Sequence, residues 1–109
     1  MSLYEKYVFF KSHMGMFISK PTYDEVAAFL IGMNFASDNK FLEDFSDWVN
    51  KRFKIQTPFF WAGLIRYIYT DEIKSIYGLE AFDVDRKESD IDFLLSLVDA
   101  YLNERLCIE

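Results

Sequence analysis

Apolar residues recur at helical spacing in several separate stretches of this chain, and that rhythm narrows the fold more than any other feature. Phe41, Leu42, Phe45, Trp48, Val49 and Phe53 fall at i, i+1, i+4, i+7, i+8 and i+12, which is one face of a helix. Lys40, Glu43, Asp44, Asp47, Asn50, Lys51 and Lys54 occupy the other faces. Acids lead and Lys51, Arg52 and Lys54 follow, an order that complements the helix dipole. The basic knot therefore has a structural explanation that competes with a binding one.

The same period appears before and after. Thr22 with Glu25 three residues on is a capping-box signal, and Tyr23, Val26, Ala27, Leu30 and Met33 or Asn34 follow as a stripe widened by Phe29 and Ile31. Gly32 inside it points to close packing of a neighbour. Ser37 and Asp38 end this helix or cap the next. Thr57 as N-cap with Pro58 at the first helical position starts another helix. Its residues from Phe59 to Tyr69 leave almost no polar face, as in a buried central helix. Ala62 and Gly63 offer a small patch for helix approach, and Arg66 must reach solvent along its stem or pair with an acid. Thr70-Asp71-Glu72 is expected to cap a short helix through Tyr77, closed by Gly78. Leu79 to Glu88 reads as a loop. A final helix starts at Ser89 and runs to about Arg105, with Ile91, Leu94, Leu95, Val98, Tyr101 and Leu102 as its stripe, extended by Phe93, Leu97 and Leu106.

The first 18 residues allow two readings. Leu3, Tyr4, Tyr7, Val8 and Phe10 suit a helix over residues 3–13. Tyr7 to Phe10 and Met16 to Ile18, split at Gly15, also suit short strands. The helix is the preferred reading. Met1-Ser2-Leu3 and Glu109 are compatible with a cloning scar and carry no weight in it. The expected fold class is all-α, a compact bundle of four to five helices in a single domain over residues 1–109.

Composition bears on function. With 12 Phe and 7 Tyr in 109 residues, aromatics reach 19%. Either a Phe-rich core with Tyr rims holds them, or some lie on a face that meets a partner or a second copy. The net charge is −6. Residues 22–50 and 80–92 carry most of the excess acid, which argues against nucleic acid. It is compatible with a basic protein partner, while either acidic cluster taken alone is better explained as a solvated face that keeps an apolar protein soluble. The stretch from Phe59 to Tyr69 is too short to span a bilayer and contains Arg66. No basic start followed by an apolar run marks a signal peptide, and one cysteine excludes an intrachain disulfide, so a cytoplasmic location is expected.

The chemistry-bearing inventory is thin. His13 is the only histidine and Cys107 the only cysteine, and neither sits in a nucleophile or zinc motif. His13 reads as a surface or helix-end residue and Cys107 as a packing residue or exposed thiol. Asp83, Asp85, Asp90 and Asp92 invite a calcium reading. An EF-hand loop counted from Asp83, however, would need Gly and Glu where Glu88 and Leu94 stand. The glycines are scattered, so no phosphate loop forms. Neither an enzyme nor a cofactor is expected.

Phe29-Leu30-Ile31-Gly32, then Phe45-Ser46-Asp47-Trp48-Val49, then Trp61-Ala62-Gly63-Leu64-Ile65 resemble small bacterial cytoplasmic proteins. Those carry a Phe-Leu-x-Gly motif, a Phe-x-x-Trp helix and a Trp-x-x-Leu-Ile helix, and some look like immunity proteins that neutralise a toxin. The resemblance covers Tyr23 to Ile65 and implies the same kind of helical core. It carries no functional residue across.

The expected function is a non-enzymatic protein-binding module, in its specific form an immunity protein for a basic toxin. Glu43, Asp44 and Asp47 are the first candidates for its binding surface, and Asp83, Asp85, Asp90 and Asp92 the second. Tyr23, Trp48 and Trp61 are candidate aromatic anchors, although their stripes place them in the core first. A homodimer or other structural module that buries surplus aromatics is the alternative.

Overall fold

A computed structural model describes residues 2–73 and 89–108. The fold is all-α. Five α-helices and one 3-10 turn are described, with no strand among these residues: α1 (Leu3–Ser12), the turn Met14–Met16, α2 (Tyr23–Ala36), α3 (Phe45–Arg52), α4 (Trp61–Thr70) and α5 (Asp90–Ile108). The helix expected through Tyr77 lies mostly outside the described residues, as does the loop at 79–88. The chain divides into two compact units, Met1–Glu43 and Asp44–Glu109.

In the first unit, residues 3–12 are helical rather than extended. The reason stands at Ser2, which carried no weight in the sequence reading. Its hydroxyl accepts from the Glu5 N–H while the Glu5 carboxylate accepts from the Ser2 N–H, a complete capping box. At α2 only half of that motif forms. Thr22 Oγ accepts from the Glu25 N–H, but the Glu25 carboxylate reaches the Lys20 N–H instead. Tyr7 and Phe10 of α1 and Tyr23, Val26, Ala27 and Leu30 of α2 are buried. The two helices meet through rings: Phe10 stacks on Phe29 at 4.0 Å, and Phe17 leans on both. Gly32 does not admit a neighbour. It is exposed, and nothing lies within 4 Å of where its Cβ would be.

Helix α2 stops at a Schellman turn. The Asn39 N–H donates to Asn34 O and the Asp38 N–H to Phe35 O, with Asp38 left-handed at φ 56°, a conformation Asp tolerates better than most residues. That ending also shortens the next helix. The Phe41 N–H donates to Ser37 Oγ and the Leu42 N–H to Asn34 Oδ1. Asp44 is left-handed at φ 58°. Phe41 and Leu42 are buried as their stripe implied, yet they precede the helix, which begins only at Phe45.

In the second unit α3, α4 and α5 pack on one another. Phe45 lies at the centre, with ring centroids 5.4 Å from Trp61, 5.0 Å from Tyr101 and 5.8 Å from Trp48. Arg52 covers the Trp48 ring and Arg105 the Tyr101 ring, while the Trp48 Nε1–H donates to the Glu104 carboxylate. Helix α4 starts at Trp61, not at Pro58. Thr57 does not cap it: its N–H and hydroxyl donate to the Asn50 side-chain oxygen, and its hydroxyl oxygen accepts from the Phe59 N–H, ahead of the helix. The Trp61 N–H is instead received by Ser46 Oγ, fifteen residues away. Nor is α4 apolar all round. Gly63, Arg66 and Thr70 form an exposed strip opposite Leu64, Ile65 and Ile68. Helix α5 begins as expected, with Ser89 Oγ accepting from the Asp92 N–H. It continues past Arg105 to Ile108 and buries Phe93, Leu94, Leu97, Val98, Tyr101 and Leu102.

Candidate functional site

Among the described residues, the acidic candidates are exposed or half-buried and do not converge on a catalytic arrangement. Glu43 is exposed at the end of the first unit. Asp44 and Asp47 are exposed at the start of α3, where Asp44 takes the N-cap position without a capping bond from its side chain. Asp92 is exposed and Asp90 half-buried in the first turn of α5. Both pairs lie where the helix dipole favours carboxylates. Asp83 and Asp85 lie outside the described residues. Among the described residues, no three His, Cys, Asp or Glu side chains gather as a metal ion would require.

An open cleft of about 470 Å³ follows α3, with Asp47 and Lys51 on one wall and Ile55, Gln56 and Pro58 on the other. Its floor is Asn50, only 8% exposed. The Asn50 amide nitrogen donates to Ser46 O, and its oxygen accepts twice from Thr57. That amide holds the chain between α3 and α4 and has its acceptor capacity filled, so the cleft reads as a by-product of the turn.

Of the candidate anchors, Tyr23 and Trp61 are buried and Trp48 is half-buried in the Phe45 cluster. His13 is exposed at the end of α1. Its ring stacks on Phe9 at 4.2 Å, and its Nδ1–H donates to Phe9 O. This arrangement fixes the orientation of the His13 ring.

The features that sequence reasoning missed are outward apolar faces in the first unit. Large hydrophobic residues exposed among the described residues are Tyr4, Val8, Phe9, Met16, Phe17, Ile31, Phe35 and Phe60. All but Phe60 belong to residues 1–43. On α2, Asp24, Ala28, Ile31 and Phe35 stand at i, i+4, i+7 and i+11, a second stripe opposite the buried one. Ile31, assigned to the core stripe from sequence, belongs to this outer face. Phe35 is 80% exposed. Gly32 and Ala28 leave the surface beside it flat, and the exposed Asp24 and Asp38 bound it at either end. An apolar centre with an acidic rim has the anatomy of a protein-contact surface.

No helix among the described residues is long and apolar enough to cross a membrane. No protein-family model matches the chain, and neither the curated proteins nor the solved structures compared with it gave a match.

Proposed function

We propose that this chain is a non-enzymatic protein-binding module whose partner is a basic protein, and that the outer face of α2 is its contact surface. The observation that supports this reading is Phe35. A phenylalanine 80% exposed, one turn from Ile31 and rimmed by carboxylates, has the chemistry of an anchor waiting for an apolar pocket with cationic edges. Glu43, Asp44 and Asp47 add negative charge that steers such a partner, and contribute more to association rate than to affinity. In its specific form the partner is a toxin with a cationic active site, as the motif resemblance implies.

The test is a pull-down with purified protein as bait at low and high salt, run beside Phe35→Gln and a Glu43→Lys/Asp44→Lys/Asp47→Lys variant. A basic protein held at low salt is expected, lost at high salt and reduced about thirtyfold in affinity by Phe35→Gln, the scale of one anchor. The triple reversal is expected to slow its association. A partner held equally by all three baits, or none at either salt, overturns the reading.

A further inference from the structure

Helix α1 carries apolar side chains on two opposite sides. Tyr7 and Phe10 are buried. Tyr4, Val8 and Phe9 point the other way and, with Glu5, Ser12 and His13, line an open groove of about 380 Å³. We propose that a second copy of this chain covers the groove, with the two α1 helices packed antiparallel about a two-fold axis between Val8 and Phe9.

A two-fold contact must be complementary to itself, and this face is. Its order along the helix is polar or amphipathic at positions 4 and 5, apolar at 8 and 9, and polar at 12 and 13. Reversing it about the midpoint sets Val8 and Phe9 of one copy on the same pair of the other. Glu5 then faces Ser12, and Tyr4 faces His13. Glu5 is the one formally charged residue of the groove under neutral His13. The antiparallel arrangement separates the two Glu5 positions by about 10 Å along the axis, roughly one Debye length at physiological salt. A parallel arrangement would set them side by side. Antiparallel packing also opposes the two helix dipoles.

Charge across the whole chain favours the same region. Residues 1–20 carry Lys6, Lys11 and Lys20 against Glu5, a net of +2, whereas the full chain carries −6. Two copies of an acidic protein meet with least repulsion where the local charge is small, and the groove itself carries one carboxylate, Glu5, per copy. The face is also preorganised. Phe9 is held between the His13 ring at 4.2 Å and the edge-on Phe17 ring at 6.1 Å, so docking it costs little rotamer freedom. Exposed Met16 and Phe17 extend the apolar surface. A contact centred on one ten-residue helix is small, so the dimer dissociates in the micromolar range or above.

Sedimentation velocity on the purified chain from about 1 µM to about 500 µM, a range that brackets a contact of this size, tests the proposal. A reversible monomer–dimer equilibrium is expected, with Phe9→Glu monomeric throughout. Ser12 is exposed, so replacing it leaves the core intact and keeps the test independent of folding. Ser12→Lys, facing Glu5 of the other copy, should tighten the dimer about threefold or more. Ser12→Glu should weaken it by a similar factor. A wild-type chain monomeric at every concentration, a dimer untouched by Phe9→Glu, or equal dimers for both Ser12 variants overturns the proposal. None of these variants touches α2, so a chain that stays monomeric yet holds a basic partner through Phe35 refutes the dimer alone.

Discussion

Residues 1–43 and 44–109 use similar helices in opposite ways. In the second unit each described helix is apolar on the side that is buried, and polar groups close the gaps. Asn50 joins α3 to the turn before α4, Ser46 receives the first N–H of α4, and Arg52 and Arg105 cover the aromatic cluster. In the first unit, α1 and α2 are apolar on two sides. One side joins the core through Tyr7, Phe10, Val26 and Leu30, and the other presents Tyr4, Val8, Phe9, Ile31 and Phe35 to solvent. A helix needs one apolar stripe to fold onto a core. A second stripe adds no folding energy and attracts other surfaces. The difference therefore separates residues that hold the protein together from residues available for contact.

That separation breaks most sharply at Phe45. Phe45→Ala removes the ring shared by Trp61, Tyr101 and Trp48 and should cost about 3–5 kcal/mol, measured by urea unfolding of the whole chain. Asn50→Ala comes next, at about 2 kcal/mol. It deprives the Thr57 N–H and hydroxyl of their acceptor in a nearly buried site, and chemical unfolding would show the loss without any change in the residues of the first unit. A change of only a few tenths for either variant would mean that the second unit is less tightly organised than its contacts imply.

The helical period placed four of the five described helices, α1 being open to a strand reading as well, and the start expected at Ser89 lies one residue before α5, where the Ser89 hydroxyl accepts from the Asp92 N–H. The stops were harder. Helices α2 and α3 both end in left-handed residues that are not glycine, Asp38 and Lys54. After α3 the Ile55 N–H returns to Asn50 O and the Lys54 N–H to Lys51 O, a Schellman motif without its usual glycine. The starts of α3 and α4 were misplaced because side chains distant in sequence took the decisive hydrogen bonds, Asn34 for Leu42 and Asn50 for Thr57. Local cap rules carry no information about such partners. Glu43, Asp44, Asp47 and Asp92 were legible as surface because charged residues seldom bury. The outer faces were not. The run Tyr7-Val8-Phe9-Phe10 fills both sides of a helix and so looks like a strand, while Ile31 joins the core stripe unless the spacing Asp24, Ala28, Ile31, Phe35 is read as a stripe of its own.

The most direct test of the division between the two regions is urea unfolding of a Val8→Gln/Ile31→Gln/Phe35→Gln chain. Gln is at least as good a helix former as the residues it replaces, and exposed positions rarely shift stability by more than about 0.5 kcal/mol each. The expected result is a total change within about 1.5 kcal/mol, with association weakened. A loss of several kcal/mol, comparable to Phe45→Ala, would show that these side chains belong to the folding core and would contradict the account.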